Sequence, residues 1–371
     1  MDILYLFLSL LALWYFSVFL FYRISWKKIP NATNQNDKDF VSVIVACRNE
    51  QDNIANIIQK VKNQNFDKDR FEMIVVNDHS EDDTLEIIEK ESQSWEKLII
   101  VCMNAGEEGK KSAIEKGISL AKGDIILCTD ADCSVNENWI ATIIRYFEDE
   151  KIKMVSAPVV FLDGKGFFQQ LQSLEFLSLI GSGAAAIGRG KSIFCNGANL
   201  AYRKSIFLEL NAFDNNTVSG DDVFLMHHIK QKYAGGIAFA KQKDAIVKTS
   251  CQPNIKAFIN QRKRWAAKSS SYKDFDTIAI SILVFLMNIS ITTLFVLCLF
   301  NMQWLVVFVT LFLVKYIADY LFLLPVLKFF RKRNLAFWIL PFEIFYCFYI
   351  VLIVILSFTN SFEWKGRTHK K

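Results

Sequence analysis

Ile125-Ile126-Leu127-Cys128-Thr129-Asp130-Ala131-Asp132 is an apolar run that ends in two carboxylates one residue apart. A run of that length and make-up reads as a buried strand. Ligands of open α/β sheets gather just past the carboxyl ends of the strands. Asp130 and Asp132 are therefore presented where a substrate could sit, and as residues i and i+2 they point the same way. Two carboxylates aimed at one spot repel each other unless a cation lies between them. Mg²⁺ is commonly held by one or two carboxylates together with substrate phosphates, so metal binding is one reading of the pair. A surface turn capping the next helix is the other, because Asp is common in such turns.

The flanking sequence extends the strand into a sheet. Phe40–Ala46, Phe71–Val76, Leu98–Met103, Asp124–Thr129 and Met154–Val160 read as strands. Between them Gln51–Gln64, Asp82–Ser92, Lys110–Ala121 and Asn136–Glu150 carry helical signals, such as Ile54, Ile57, Ile58 and Val61 on one face. Strands alternating with helices across short turns imply a mostly parallel sheet with right-handed crossovers. Residues 166–190 place Phe167, Phe168, Leu171, Leu174, Phe176, Leu177 and Ile180 among polar residues. That pattern suits an amphipathic helix at a bilayer surface and equally a helix facing a core.

Apolar sequence is concentrated at the two ends. The 371 residues are 52% hydrophobic and include 33 phenylalanines, more than a soluble protein of this size needs. Residues 3–22 are almost wholly apolar and are followed by Arg23, Lys27 and Lys28. Twenty such residues span a bilayer, and charge placed after the apolar core argues for an uncleaved membrane helix with a cytoplasmic domain behind it. Residues 30–39 form a polar linker. Three further apolar segments, about 277–300, 304–327 and 336–358, are each long enough to span. Lys328, Arg331, Lys332 and Arg333 place the second loop inside; counting then puts the basic tail 361–371 outside, where the charge rule does not want it. Pro341 and Glu343 suggest that the last segment starts as a re-entrant or interfacial piece. Lys315 and Asp319, one turn apart, are expected to pair inside the bundle, as a functional group or as a structural link. The expected organisation is 1–29 anchor helix, 30–39 linker, 40–272 catalytic domain with interfacial helices, 273–360 membrane helices and 361–371 tail.

A formal charge of +5 is mild and does not point to nucleic acid. Eight cysteines without a CxxC pair, several inside apolar runs, read as reduced thiols and not as a disulfide framework or zinc site. Four histidines offer no ligand spacing.

Six motifs lie along the chain: VSVIVACRNE (Val41–Glu50), IVVNDHSEDDT (Ile74–Thr84), Gly109-Lys110-Lys111-Ser112-Ala113 opening a helix, the Asp130/Asp132 pair, Ser219-Gly220-Asp221-Asp222, and Gln261-Arg262-Lys263-Arg264-Trp265. The first two have a plainer reading as capped strand-to-helix turns. A lysine at a helix N-terminus can meet a phosphate, although a surface lysine is the common case.

In this order and spacing the six resemble the family 2 inverting glycosyltransferases whose GT-A domain (a Rossmann-like, mostly parallel sheet) is embedded in a membrane. The resemblance covers roughly 40–270 and the layout of flanking helices. Chitin, cellulose and hyaluronan synthases and the ceramide glucosyltransferases share the DxD, GDD and QxxRW set, and the helix layout looks most similar to the ceramide glucosyltransferase branch and similar bacterial enzymes. The resemblance implies an α/β GT-A domain flanked by transmembrane helices, in a bacterial inner membrane with the catalytic domain in the cytoplasm. It implies that Glu50 and Asp78 hold the nucleotide base and ribose, Asp78 being chosen because Asn77 stands where many members carry a first Asp. Lys110 lies near the nucleotide. Asp130 and Asp132 hold Mg²⁺ or Mn²⁺ on the diphosphate. Asp222, with Asp221 beside it, supplies the catalytic base. Gln261, Arg264 and Trp265 contact donor diphosphate and acceptor channel, and Asn196, Gly197, Ala198 and Asn199 lie beneath the acceptor.

The chemistry needs these parts. A departing diphosphate requires a cation and a guanidinium, and the attacking alcohol requires a base. One base with no enzyme nucleophile inverts the anomeric centre. The leading expectation is transfer of one sugar from a nucleotide donor, a UDP-sugar above others, to a lipid or lipid-linked hydroxyl. A processive polysaccharide synthase is the alternative, although four candidate helices are few for a channel. An inactive membrane scaffold is disfavoured by the intact Asp130, Asp132, Asp222 and QRKRW.

Overall fold

A computed structural model describes residues 2–33, 36, 38–164, 166–210, 221–269, 271–357, 361–364 and 367–370. In chain order the elements are α1 (Asp2–Lys28), β1 (Val41–Cys47), α2 (Ile54–Lys62), β2 (Phe71–Asn77), α3 (Thr84–Ser92), β3 (Leu98–Cys102), α4 (Lys110–Leu120), β4 (Ile125–Asp130) and α5 (Trp139–Ile144). Then come β5 (Met154–Ser156), β6 (Val159–Phe161), α6 (Phe167–Ile187), β7 (Asn199–Arg203), α7 (Lys204–Leu210), α8 (Asp221–Lys232), β8 (Ile237–Phe239) and β9 (Val247–Thr249). The chain closes with α9 (Ile255–Ser269), α10 (Phe275–Phe300), α11 (Leu305–Phe329), α12 (Ile339–Ser357) and the hairpin β10 (Ser361–Trp364) and β11 (Arg367–Lys370).

These elements form two units. One comprises residues 29–162 and 187–250, the other 1–28, 163–186 and 251–371. Helices α6 and α9, which fall within the expected 40–272 domain, group with the long apolar helices and not with the sheet.

The first unit is built on a seven-stranded sheet of order β3-β2-β1-β4-β7-β5-β8. β1, β2, β3 and β4 are parallel, and β7 runs antiparallel between β4 and β5. Every residue of β2 is buried and so are six of the seven in β1, which explains why these strands read as continuous apolar runs and not as alternating ones. The strand expected over Met154–Val160 is broken into β5 and β6. Pro158 sits at the break; it has no N–H to give to a ladder. β6 then pairs with β9 in a separate small sheet. The helix expected over Asn136–Glu150 is shorter: α5 tightens into a 3₁₀ turn at Arg145–Glu148. All eight cysteines are free thiols.

The second unit holds four helical stretches long and apolar enough to cross a membrane: Asp2–Lys28, Phe275–Phe300, Met302–Phe329 and Arg333–Ser357. They coincide with the four segments expected from the sequence. Helix α6 packs on this bundle through Gly181, where an added Cβ would come within 2.9 Å of Val326; small residues let helices approach closely in apolar surroundings. Ser25 donates to the carbonyl of Ala185 at 2.7 Å, and the Arg23 guanidinium to that of Leu321 at 2.6 Å. β10 lies beside α9, so the basic tail returns to the helix that carries QRKRW.

Lys315 does pair with Asp319, at 2.8 Å, and a third group joins them: Glu343 of α12 accepts from the same ammonium. The Tyr15 hydroxyl donates to both oxygens of Asp319, at 2.9 and 3.0 Å. Lys315 is fully enclosed, and its ammonium lies 5.1 Å from the centroid of the Tyr346 ring. One buried cation thus ties α1, α11 and α12 together. Removing one partner of a buried ion group costs about 3–5 kcal/mol, whereas removing the whole group is often neutral. Lys315→Met is accordingly expected to lower the thermal unfolding midpoint in detergent sharply, and the triple Lys315→Met/Asp319→Asn/Glu343→Gln to recover most of the loss. An unchanged midpoint in the single variant would show that the cluster carries no structural role.

Candidate active site

The candidate site lies at the carboxyl edge of the parallel strands. The loops after β1 and β2 are laced together there. Asn49 and His79 adopt positive φ of 52° and 53°, which Asn and His tolerate better than most residues. Asn49 accepts from the Glu81 amide at 2.8 Å and its own amide donates to Ser80 at 3.0 Å. Arg48 pairs with Glu81 at 3.0 Å. The amide of Glu50 donates to Thr84 at 2.7 Å, and its carboxylate accepts from Asn53 at 2.8 Å. Glu50 is thereby fixed at the rim.

Asp78 is buried and accepts from the amide of Gly109 at 3.0 Å. This bond joins the end of β2 to the start of α4. Gly109 has φ +94°, a conformation L side chains rarely adopt. The turn it makes sets Lys110 as the first residue of α4, with its ammonium ion-paired to Asp130. Lys110 and Asp130 are both about one-third exposed, so this is an open pair that a ligand can reach.

Asp130 ends β4, and the amide of Cys133 closes a tight turn onto its carbonyl at 3.1 Å. Asp132 on that turn accepts from the Thr249 hydroxyl of β9 at 3.1 Å. Loss of water around the carboxyl, then the negative charges of Asp130 and Glu50, push Asp132 above the ordinary carboxylate range. Two hard oxygen donors that repel each other, one of them held by a hydroxyl, suit Mg²⁺ or Mn²⁺. Among the described residues no three acidic, His or Cys side chains form a closed metal cage.

Asp222 is the second residue of α8. Its Oδ2 accepts from the Gly197 amide at 2.9 Å and its Oδ1 from the Val223 amide at 2.9 Å. A Cβ on Gly197 would stand 3.3 Å from Oδ2, so the glycine lets the backbone reach the carboxylate. Buried Cys128 marks how closely the charges gather. Burial pushes its thiol up to about 11, the Tyr202 hydroxyl opposes this, and the charges of Lys110, Asp130 and Asp222 all act on it.

The structure thus brings Glu50, Asp78, Lys110, Asp130, Asp132, Gly197 and Asp222 to one edge of one unit. Ser219 and Gly220 lie outside the described residues, as does the side chain of Asp221. Asn199 corrects an expectation. It is fully buried, its amide donates to the carbonyls of Pro158 and Ala245 at 2.8 Å each, and its oxygen accepts from the Trp139 indole at 2.9 Å. Every polar atom of that side chain is spent on the fold, and none faces an acceptor. Asn196 also works locally, capping its own turn through the Ala198 amide at 2.9 Å. Ala198 is buried. Gln261, Arg264 and Trp265 are half-exposed on α9 of the other unit. Thr249 was not singled out in the sequence; a lone threonine on a short strand carries no signal.

Residues 42–210 match the sequence model of the family described as glycosyl transferase family 2. The chain carries a glycosyl transferase family 2 domain. It is 27% identical over 222 residues to the glycosyltransferase AglE of Haloferax volcanii, covering 58% of this chain and 67% of that protein. It is 26% identical over 205 residues to a poly-beta-1,6-N-acetyl-D-glucosamine synthase of Staphylococcus aureus, covering 54% of this chain; the chain spans 48% of that synthase. The fold is similar to that of the mannosyltransferase PcManGT from Pyrobaculum calidifontis, solved with GDP-Man and Mn²⁺. The TM-score is 0.59 at 15% identity, over 94% of this chain and 98% of that one. The sheet is of the GT-A type, with long apolar helices at both ends of the chain.

Lys110 competes with any cation for Asp130. Lys110→Met is expected to tighten Mn²⁺ binding about threefold or more without nucleotide, as judged by Mn²⁺ paramagnetic resonance, because an exposed ion pair and its cation repulsion are removed together. Weaker Mn²⁺ binding in the variant would place the metal elsewhere.

Proposed function

We infer that this chain is a membrane-bound inverting glycosyltransferase that moves one sugar from a nucleotide-diphosphate donor to a lipid or lipid-linked hydroxyl. The observation that carries the reading is the convergence of Asp130, Asp132 and Lys110 at the sheet edge, together with an Asp222 carboxylate aimed by the Gly197 amide.

Asp130 and Asp132 would hold Mg²⁺ or Mn²⁺, which when bound offsets the charge of the leaving diphosphate. Lys110, at the N-terminus of α4, adds its ammonium and the partial positive charge of the helix end to the same phosphates. Glu50 and Asp78, on the laced loops, take the base and ribose. Asp222 removes the proton of the acceptor hydroxyl as the new bond forms; with Oδ2 oriented by Gly197, the carboxylate is positioned before the acceptor arrives. No enzyme nucleophile is needed, and a single displacement inverts the anomeric carbon. Arg264 offers a fork of donors to a diphosphate, Gln261 an amide, and Trp265 an apolar face to a sugar ring.

The lipid acceptor is supported by the four apolar helices. Positive charge after α1 and in the loop after α11 favours the cytoplasmic face for the catalytic unit. The mannosyltransferase of similar fold binds GDP-Man, so GDP-sugars join UDP-sugars as donors to be tested. The match to the Staphylococcus aureus synthase supports a second reading, repeated transfer to build a polysaccharide.

The test is purified protein in detergent with a panel of UDP- and GDP-sugars and Mg²⁺ or Mn²⁺. Nucleotide release is followed, together with mass spectrometry of glycosylated lipid. Release with at least one donor is expected, and Asp222→Asn should lower kcat by about 100-fold or more, the usual contribution of a general base. Full activity in Asp222→Asn, or no release with any donor, would sink the mechanism. One added sugar supports the first reading, and long products the second.

A further inference from the structure

Two side chains, Arg262 and Tyr349, meet around one carboxylate in the helical unit. Glu175 of α6 is buried and accepts from Arg262 of α9 through two nitrogens, Nε at 3.0 Å and Nη2 at 2.7 Å. The Tyr349 hydroxyl of α12 donates to the other oxygen of Glu175 at 2.8 Å. Arg262 is only 3% exposed, and its guanidinium carbon lies 4.4 Å from the Phe258 ring centroid and 4.3 Å from that of Trp265, both on α9. Its remaining nitrogen, Nη1, donates to Oε1 of the neighbouring Gln261.

Buried ion pairs are weak contributors to stability, since apolar groups of similar volume often do as well. What this pair supplies is direction. A helix turns by 100° per residue, so fixing one residue of α9 fixes where every other residue of α9 points. Arg262 is fixed against α6 by the two nitrogens it places on Glu175, and it hands the constraint to Gln261 by a hydrogen bond. Lysine could supply the charge but not the fork.

We propose that Glu175 is a positioning residue for sugar transfer: through Arg262 it sets the rotation of α9 and thereby the orientation of Gln261, Arg264 and Trp265. The proposal rests on the transferase reading above. It assigns Arg262 to orientation, while contact with substrate stays with its neighbours in the motif.

The experiment separates orientation from stability. Glu175→Gln leaves the Arg262 charge buried with a weaker partner and lowers both the unfolding midpoint and kcat. Glu175→Gln/Arg262→Met removes both charges and returns the midpoint to near that of the wild type, yet kcat at saturating donor stays at least about tenfold down, because α9 is no longer indexed. Arg262→Lys, which keeps the charge and loses the fork, serves the same comparison if the double variant does not fold. Recovery of wild-type kcat along with the midpoint would overturn the positioning role and leave the pair purely structural. Wild-type protein that turns over no nucleotide sugar would overturn the transferase reading itself, a result visible before any substitution is made.

Discussion

Two carboxylates that cannot comfortably share one spot organise the catalytic unit. Asp130 ends β4 and Asp132 lies two residues on, in the turn, with Glu50 adding a third negative charge. The fold holds them in place at both ends. Lys110 is brought to Asp130 by the positive-φ turn at Gly109, and that turn is itself tied to β2 through Asp78. Thr249 reaches across from β9 to Asp132. The strands behind, β1 and β4, are buried almost throughout, which anchors the edge. A negative field only partly offset by Lys110, at a reachable surface, is what a metal–diphosphate ligand complements.

The helical unit meets the same difficulty in the opposite way. Charges in apolar surroundings are costly unless every one is answered. Lys315 is answered by Asp319 and Glu343, and Asp319 also by Tyr15. Arg262 is answered by Glu175, and Glu175 also by Tyr349. The first group joins three helices that are long enough to span. The second joins α6, α9 and α12. The edge of the sheet leaves charge open for a ligand, while the bundle closes charge upon itself to fix geometry.

The sequence made the sheet and its edge legible because the local signals agree there. β4 is an apolar run that stops at an Asp, α4 starts after a Gly, and α2 repeats isoleucine at helical spacing. Met154–Val160 reads as one strand by its apolar pattern, and Pro158 divides it into β5 and β6. Asn199 was assigned to the acceptor by resemblance, yet its role depends on Pro158, Ala245 and Trp139, none of which is local to it. Thr249 lies 117 residues from Asp132, and Glu175 lies 87 from Arg262; pairings at that separation leave no mark in a single sequence. Glu343 was noticed as an oddity of the last apolar segment, and only the packing of α12 on α11 shows that it completes the pair begun by Lys315 and Asp319.

The central claim is that the Asp130–Asp132 edge holds a nucleoside diphosphate through a divalent cation. Titration calorimetry of UDP and GDP into the detergent-solubilised protein, with Mn²⁺ and then with chelator, tests it most directly. Binding of at least one of the two that needs the cation, and that falls at least about tenfold in Asp132→Asn, is the predicted result. Equal affinity with and without cation, or an Asp132→Asn protein that binds as the wild type does, would contradict it.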